Sequence, residues 1–161
     1  MINVLIVHYN TPELTEACIK SINKHTPGCK IFIFDNSDKR PFTAHFDNVE
    51  IIDNTKRQKI NFEEIINSFP NRKHTIDNHG SAKHMLSVQY FFDIFNKPFV
   101  LIDSDILLKK DISILTDNRF VWIGMIEKQQ YWFQIVRLAP YLLYINLPVC
   151  KQCGINFFKE H

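Results

Sequence analysis

Val4-Leu5-Ile6-Val7 is an unbroken apolar run rich in β-branched residues, and Ile31-Phe32-Ile33-Phe34, Val49-Glu50-Ile51-Ile52 and Phe99-Val100-Leu101-Ile102 repeat the pattern. Runs of this kind, without polar alternation, read as strands buried on both faces, the habit of parallel sheets. Between them the pattern changes period. Thr11-Pro12-Glu13 opens a helix, with Thr11 suited to the N-cap, Pro12 to the first helical position and Glu13 to the positive end of the helix dipole. Leu14, Ala17, Cys18, Ser21 and Ile22 share one face of that helix, and Pro27-Gly28 stops it. Positions 61–69 predict a short amphipathic helix, with Asn61 and Glu64 in capping-box spacing and Pro70 after it. Positions 81–95 predict a longer helix, bounded by Gly80 and by Asn96-Lys97-Pro98, and positions 120–126, around Trp122, a further strand. Strands alternating with helices predict an α/β fold: a doubly wound, mostly parallel sheet flanked by helices, Rossmann-like in outline.

Composition fits one domain over residues 1–161. A chain of 161 residues can bury roughly two-thirds of its unfolded surface. Its 45% hydrophobic and 22% charged residues are ordinary for a folded protein. A net charge of +2 with no block of five basic residues is weak for a nucleic-acid binder, so no nucleic-acid partner is expected. The longest uncharged stretch, positions 138–150, is broken by Pro140, Asn146 and Pro148 and is too short to span a bilayer. No basic segment precedes the first apolar run, so no secretory signal is expected. Cys18, Cys29, Cys150 and Cys153 then read as unpaired thiols. Cys150 and Cys153 have zinc-knuckle spacing, but no second ligand pair lies near them in the chain.

In doubly wound sheets, ligands bind outside the carboxyl ends of the strands. The residues that follow each predicted strand are therefore the informative ones: His8-Tyr9-Asn10, Asp35-Asn36-Ser37-Asp38, Asp53-Asn54 and Asp103-Ser104-Asp105. Asp103 and Asp105 flank a single residue, and two such carboxylates can approach one hard cation. Magnesium and manganese prefer oxygen ligands and share them with substrate phosphates. Asp35 and Asn36 can accept from a nucleobase imide or a ribose hydroxyl, or can make ordinary Asx turns. His79-Gly80-Ser81-Ala82-Lys83-His84 opens the long helix, whose free N–H groups attract phosphate, with Lys83 adding a point charge. Neither G-x-G-x-x-G after the first strand nor a P-loop occurs, and H-E-x-x-H and G-x-S-x-G are absent.

In their order and spacing these segments resemble nucleotide-sugar glycosyltransferases of the A-type fold, near the large family 2 of inverting enzymes. Positions 4–14 are similar to that family's opening strand, Tyr-Asn turn and first helix, and Ile33-Phe34-Asp35-Asn36-Ser37 to its second strand and base-binding Asp. Asn78-His79-Gly80-Ser81 is similar to its Asn/His-x-Gly segment, and positions 99–105 to its metal-binding D-x-D. The resemblance covers residues 1–126, as a nucleotide-sugar-binding part, and leaves 127–161 as a partial acceptor-side or C-terminal segment. It implies that Tyr9 and Asn10 line the nucleotide pocket and that Asp35 meets the base, with Asn36 beside it. It also implies that Asp103 faces the ribose or the metal, and that Asp105 binds Mn2+ or Mg2+ on the diphosphate. Asp53, Lys83 and Ser104, on the same edge, are counted with the donor site.

The activity so implied is metal-dependent, inverting transfer of a sugar from a nucleotide-diphosphate donor to the hydroxyl of a saccharide or lipid-linked acceptor. That chemistry belongs to cell-surface polysaccharide biosynthesis, in the cytoplasm at the inner face of the membrane, with peripheral association. The catalytic base is unassigned, and Glu127 is the nearest candidate. Family members carry the acceptor site and the catalytic carboxylate in a longer C-terminal part, so a donor-binding module without turnover is the alternative. Nucleotidyltransferases share the fold but open with a Gly-rich signature that is missing here.

Overall fold

The computed structural model describes residues 1–68, 80–130 and 134–155. Among them, one six-stranded sheet is formed by β1 (Asn3–His8), β2 (Lys30–Asp35), β3 (Val49–Asp53), β4 (Phe99–Asp103), β5 (Trp122–Gln130) and β6 (Gln134–Ile145), in the order β3-β2-β1-β4-β6-β5. Among the described residues four helices accompany it: α1 (Pro12–His25), α2 (Phe62–Ser68), α3 (Gly80–Ile94) and α4 (Leu147–Gln152). The four hydrophobic runs are the four parallel strands, side by side as their pattern requires. A short 3-10 turn at Ser113–Leu115 lies in the connection to β5.

Strand parity explains why those runs lack a polar alternate. Leu5, Phe32, Phe34 and Leu101 point to one face, where Leu86, Val88, Phe91 and Phe92 of α3 and Phe62 of α2 cover them. Val4, Ile6, Ile31, Ile33, Val100 and Ile102 point to the other, against Cys18, Ile19 and Ile22 of α1. β3 departs from the expectation: it is the edge strand, Ile51 is 43% exposed, and Glu50 pairs with Lys30 at 3.1 Å. A charged edge of this kind resists pairing with further strands.

Helix α1 buries Thr15, Cys18, Ile19 and Ile22; of the expected face Cys18 and Ile22 are buried and Ala17 and Ser21 half-buried, while Leu14 is half exposed. Thr11 is its N-cap without a side-chain cap bond, and its carbonyl accepts from the Thr15 N–H at 3.0 Å. Pro12, at the first helical position, lacks an N–H and so leaves one fewer unpaired donor in the first turn. Gly28 supplies the left-handed turn after the helix, at φ 83°. At α2, the Glu64 N–H donates to Asn61 Oδ1 at 3.3 Å, a bond the expected capping box calls for. Phe69 and Pro70 lie outside the described residues.

The last two strands differ most from the sequence reading. β5 begins at Trp122 and runs past position 126, so the expected boundary there falls inside a strand. β6 pairs antiparallel with β4, Val100 opposite Tyr144 and Ile102 opposite Leu142, and Leu143, Tyr144 and Ile145 are buried. Residues 134–145 thus complete the sheet. The pairing of β5 with β6 shifts register between Gly124 and Ile126, opposite the stretch that contains Pro140. Proline cannot donate to a ladder and is confined to irregularities of this sort.

Candidate functional site

The carboxyl ends of β1, β2, β3 and β4 form one edge. His8, Asp35 and Asp53 are in register across β1, β2 and β3, whereas Asp103 is level with Val7. Side chains alternate along a strand, so Asp35 and Asp103 stand on opposite faces of the sheet. On the α1 face, the His8 Nδ1 lies 2.7 Å from Thr15 Oγ1. Asp35 is 2% exposed, and its two oxygens accept the backbone N–H groups of Ser37 (2.9 Å) and Phe42 (2.8 Å). The carboxylate expected to meet a nucleobase is therefore buried and committed to folding the loop that follows β2. This is the Asx-turn reading of the same residue.

Two more acids of this edge are committed as well. Asp53 accepts from the Thr55 N–H (2.8 Å) and hydroxyl (2.7 Å), which hold its carboxyl below the usual range. Asp38 accepts from Asn10 Nδ2 (2.5 Å) and the Tyr9 hydroxyl (3.1 Å), and the Asn10 bond chiefly holds it low. Tyr9 is pushed up, by burial first and then by Asp38. Asn10 has φ 57°, and its Oδ1 accepts from the N–H groups of Lys39 (3.0 Å) and Arg40 (2.9 Å). Tyr9, 49% exposed, and Asn10 thus form a braced rim between the ends of β1 and β2.

On the α3 face a buried amide chain links three elements. Asn54 Nδ2 donates to Asn36 Oδ1 (2.8 Å), and Asn36 Nδ2 donates to Ser87 Oγ (2.7 Å). Arg57 Nη1 donates to the Asn36 carbonyl at 2.7 Å, and its guanidinium lies 5.2 Å from the Phe62 ring centre. Lys83 Nζ lies 5.7 Å from the same ring. Two cations therefore converge beside one aromatic ring at the edge. Arg57 was missed by the sequence reading. Its signal was present as a basic residue in the polar loop after the third apolar run. It also adopts φ 57°, an uncommon conformation for a side chain of this size.

β4 ends differently. Asp103 has a 35% exposed side chain, Ser104 is half buried and Asp105 is exposed. Among the described residues, neither carboxylate of the pair accepts a hydrogen bond. Burial pushes Asp103 up, His84 opposes that shift, and Asp105 adds to it. The Cys18 thiol beneath them is pushed up to about 12 by burial, then by Asp105 and Asp103, which leaves it inert. No three metal-ligating side chains converge among the described residues. The donor set here is two carboxylates that accept no hydrogen bond among the described residues, with His84 Nε2 at 3.8 Å from Asp103 Oδ1. That suits a hard divalent cation whose remaining positions go to water and phosphate oxygens. Asn78 and His79 lie outside the described residues. Glu127 is opposite Arg137 in the β5–β6 pairing, in a hairpin that runs on beyond the level at which β4 ends.

No family model matches the chain, and no curated protein matches it. Solved structures do. The galactosyltransferase LgtC, in complex with donor and acceptor sugar analogs, matches with a TM-score of 0.66 and 13% identity, over 94% of this chain and 60% of that one. The fold is that of glycosyltransferases. The bifunctional glycosyltransferase WbbM matches at 0.55 with 15% identity, over 95% of this chain and 32% of its own. The glycosyltransferase GlyE of Streptococcus pneumoniae matches at 0.50 with 13% identity, over 95% and 36%. This chain therefore spans 60% or less of the length of each of these glycosyltransferases. No described helix is long and apolar enough to cross a membrane.

Proposed function

We propose that the chain is a glycosyltransferase that binds a nucleotide-diphosphate sugar at the carboxyl edge of β1, β2 and β4 and transfers the sugar to an acceptor hydroxyl. One observation carries this reading. Asp35, Asp38 and Asp53 are all hydrogen-bonded within the protein, whereas Asp103 and Asp105 accept no hydrogen bond among the described residues. Two such carboxylates repel each other and repel phosphate. A diphosphate can lie beside them only with a cation between.

Asp105, assisted by Asp103, would hold Mn2+ or Mg2+, which when bound neutralises the diphosphate leaving group. Arg57 and Lys83 add positive charge on the α3 side, and Ser104 is close enough in the chain to contact the donor. Tyr9 and Asn10 shape the nucleoside rim, and Asn36 holds the rim's floor through Asn54 and Ser87. In the inverting reaction of family 2-like enzymes, the acceptor oxygen bonds to the anomeric carbon as the bond to the diphosphate oxygen breaks. A base takes the acceptor's proton, and Glu127 is the candidate for it. The acceptor is read as a saccharide or a lipid-linked sugar of a cell-surface polysaccharide. On this reading the enzyme works in the cytoplasm, peripheral to the inner face of the membrane.

The test is turnover against a panel of nucleotide sugars with Mn2+, read as release of nucleoside diphosphate. Release that disappears in Asp105→Asn supports the reading. A donor that binds but is never turned over, with any saccharide or lipid-linked acceptor, assigns the chain to a binding module.

A further inference from the structure

Among the described residues, one buried side-chain nitrogen has no hydrogen-bond partner: Nε2 of His84, in the first turns of α3. Polar atoms buried in this way are ordinarily satisfied, so an exception calls for a cause. The polar groups around it on α3 are already engaged. Ser87 Oγ donates to the Lys83 carbonyl at 2.8 Å and accepts from Asn36, and Lys83 is drawn to Phe62. Asp103 Oδ1 stands 3.8 Å from His84 Nε2, just beyond hydrogen-bond reach. Asp103 in turn accepts no hydrogen bond among the described residues. A ring nitrogen that can carry a proton and a carboxylate with no donor among the described residues therefore stand 3.8 Å apart.

Carboxylates that bind metal ions are generally held by a hydrogen bond from a neighbouring group, which fixes their orientation and leaves one oxygen for the ion. We propose that His84 is the positioning residue of Asp103: its Nε2–H donates to one carboxylate oxygen and so turns the other toward the divalent cation. This rests on the donor-site reading above and adds to it a residue on α3 that the sequence reading placed in the helix opening without a role.

The probe is Mn2+ alone, with binding followed by loss of the paramagnetic resonance signal of the free ion. The wild type binds the ion, and Asp105→Asn abolishes binding. His84→Leu, which removes the donor, weakens binding about 10–100-fold. His84→Gln, whose amide carries an N–H at similar reach, stays within about threefold of the wild type. Equal affinity in wild type and His84→Leu overturns the positioning role and leaves the donor-site reading standing. Weakening as large in His84→Gln as in His84→Leu also overturns it, because the effect is then one of packing. A wild type that does not bind Mn2+, or binds it undiminished in Asp105→Asn, overturns the donor-site reading and this inference together. A second readout needs no folded variant of His84. Addition of Mg2+ to the wild type should shift the imidazole nitrogen resonance of His84, and an unmoved resonance contradicts the proposal.

Discussion

Asp35 and Asp103 end the two strands that flank β1, and in the sequence they look alike: an apolar run, an Asp, then further polar residues. Their surroundings separate them. Asp35 is sealed on the α1 face by two backbone donors, whereas Asp103 opens on the α3 face with none among the described residues. Substituting Asp35→Ala should therefore destabilise the fold by about 2–4 kcal/mol, because two buried N–H groups lose a charged acceptor. Urea unfolding measures it. Asp103→Asn should cost less than about 1 kcal/mol at neutral pH, since asparagine keeps an oxygen toward His84 and no backbone donor is left without its acceptor. The pH dependence of the Asp103→Asn comparison has a definite sign. The carboxyl of Asp103 is raised by burial, so in the window above the ordinary aspartate value the folded state binds more protons than the unfolded one. Stability contributed by the protonated form is lost as pH rises through that window. The stability of Asp103→Asn relative to wild type should then grow with pH across it. Denaturation at several pH values checks this, and a constant difference would count against the burial argument. Which acids were committed and which were not could not be read from the residue string. It depends on where the loops return, and the N–H that closes on Asp35 Oδ2 comes from Phe42, seven positions away.

At the level of elements, the pattern revealed what two-faced burial imposes. β1, β2 and β4 are apolar between their ends because α1 and α3 cover opposite sides of them. β3 was read as equally buried because its residues are similar, but an edge strand has fewer neighbours. β6 escaped detection because Pro140 interrupts its apolar stretch, although Leu142-Leu143-Tyr144-Ile145 lies inside the sheet. The packing of α3 on that sheet is carried by aromatic rings. Phe91 lies 4.5 Å from Phe95, 5.1 Å from Phe99 and 5.2 Å from Phe32, centre to centre. Phe91→Ala should cost about 3–5 kcal/mol, as removal of a buried ring usually does. Because Lys83, His84 and Ser87 sit on the same helix, the loss should loosen the edge site as well as the core. A fall in melting temperature with unchanged nucleotide affinity would show that the two are independent.

For the whole molecule, the fold places on one edge four strand ends, a braced Tyr9–Asn10 rim, two cations beside Phe62 and two carboxylates that accept no hydrogen bond among the described residues. The fold is shared with glycosyltransferases of known structure that differ from this chain at more than four in five positions, the first of them at 13% identity. What has persisted between them is an arrangement of elements, and what each does rests on its own side chains. The central claim is that Asp105, with Asp103, binds a cation that in turn holds a nucleotide diphosphate. Calorimetric titration of a nucleotide sugar, with Mn2+ and with excess chelator, tests it most directly. The account predicts binding that strengthens at least tenfold with Mn2+ in the wild type, about 1.4 kcal/mol, and a gain that vanishes in Asp105→Asn. Equal affinity with Mn2+ and with chelator, or an undiminished gain in Asp105→Asn, would contradict it.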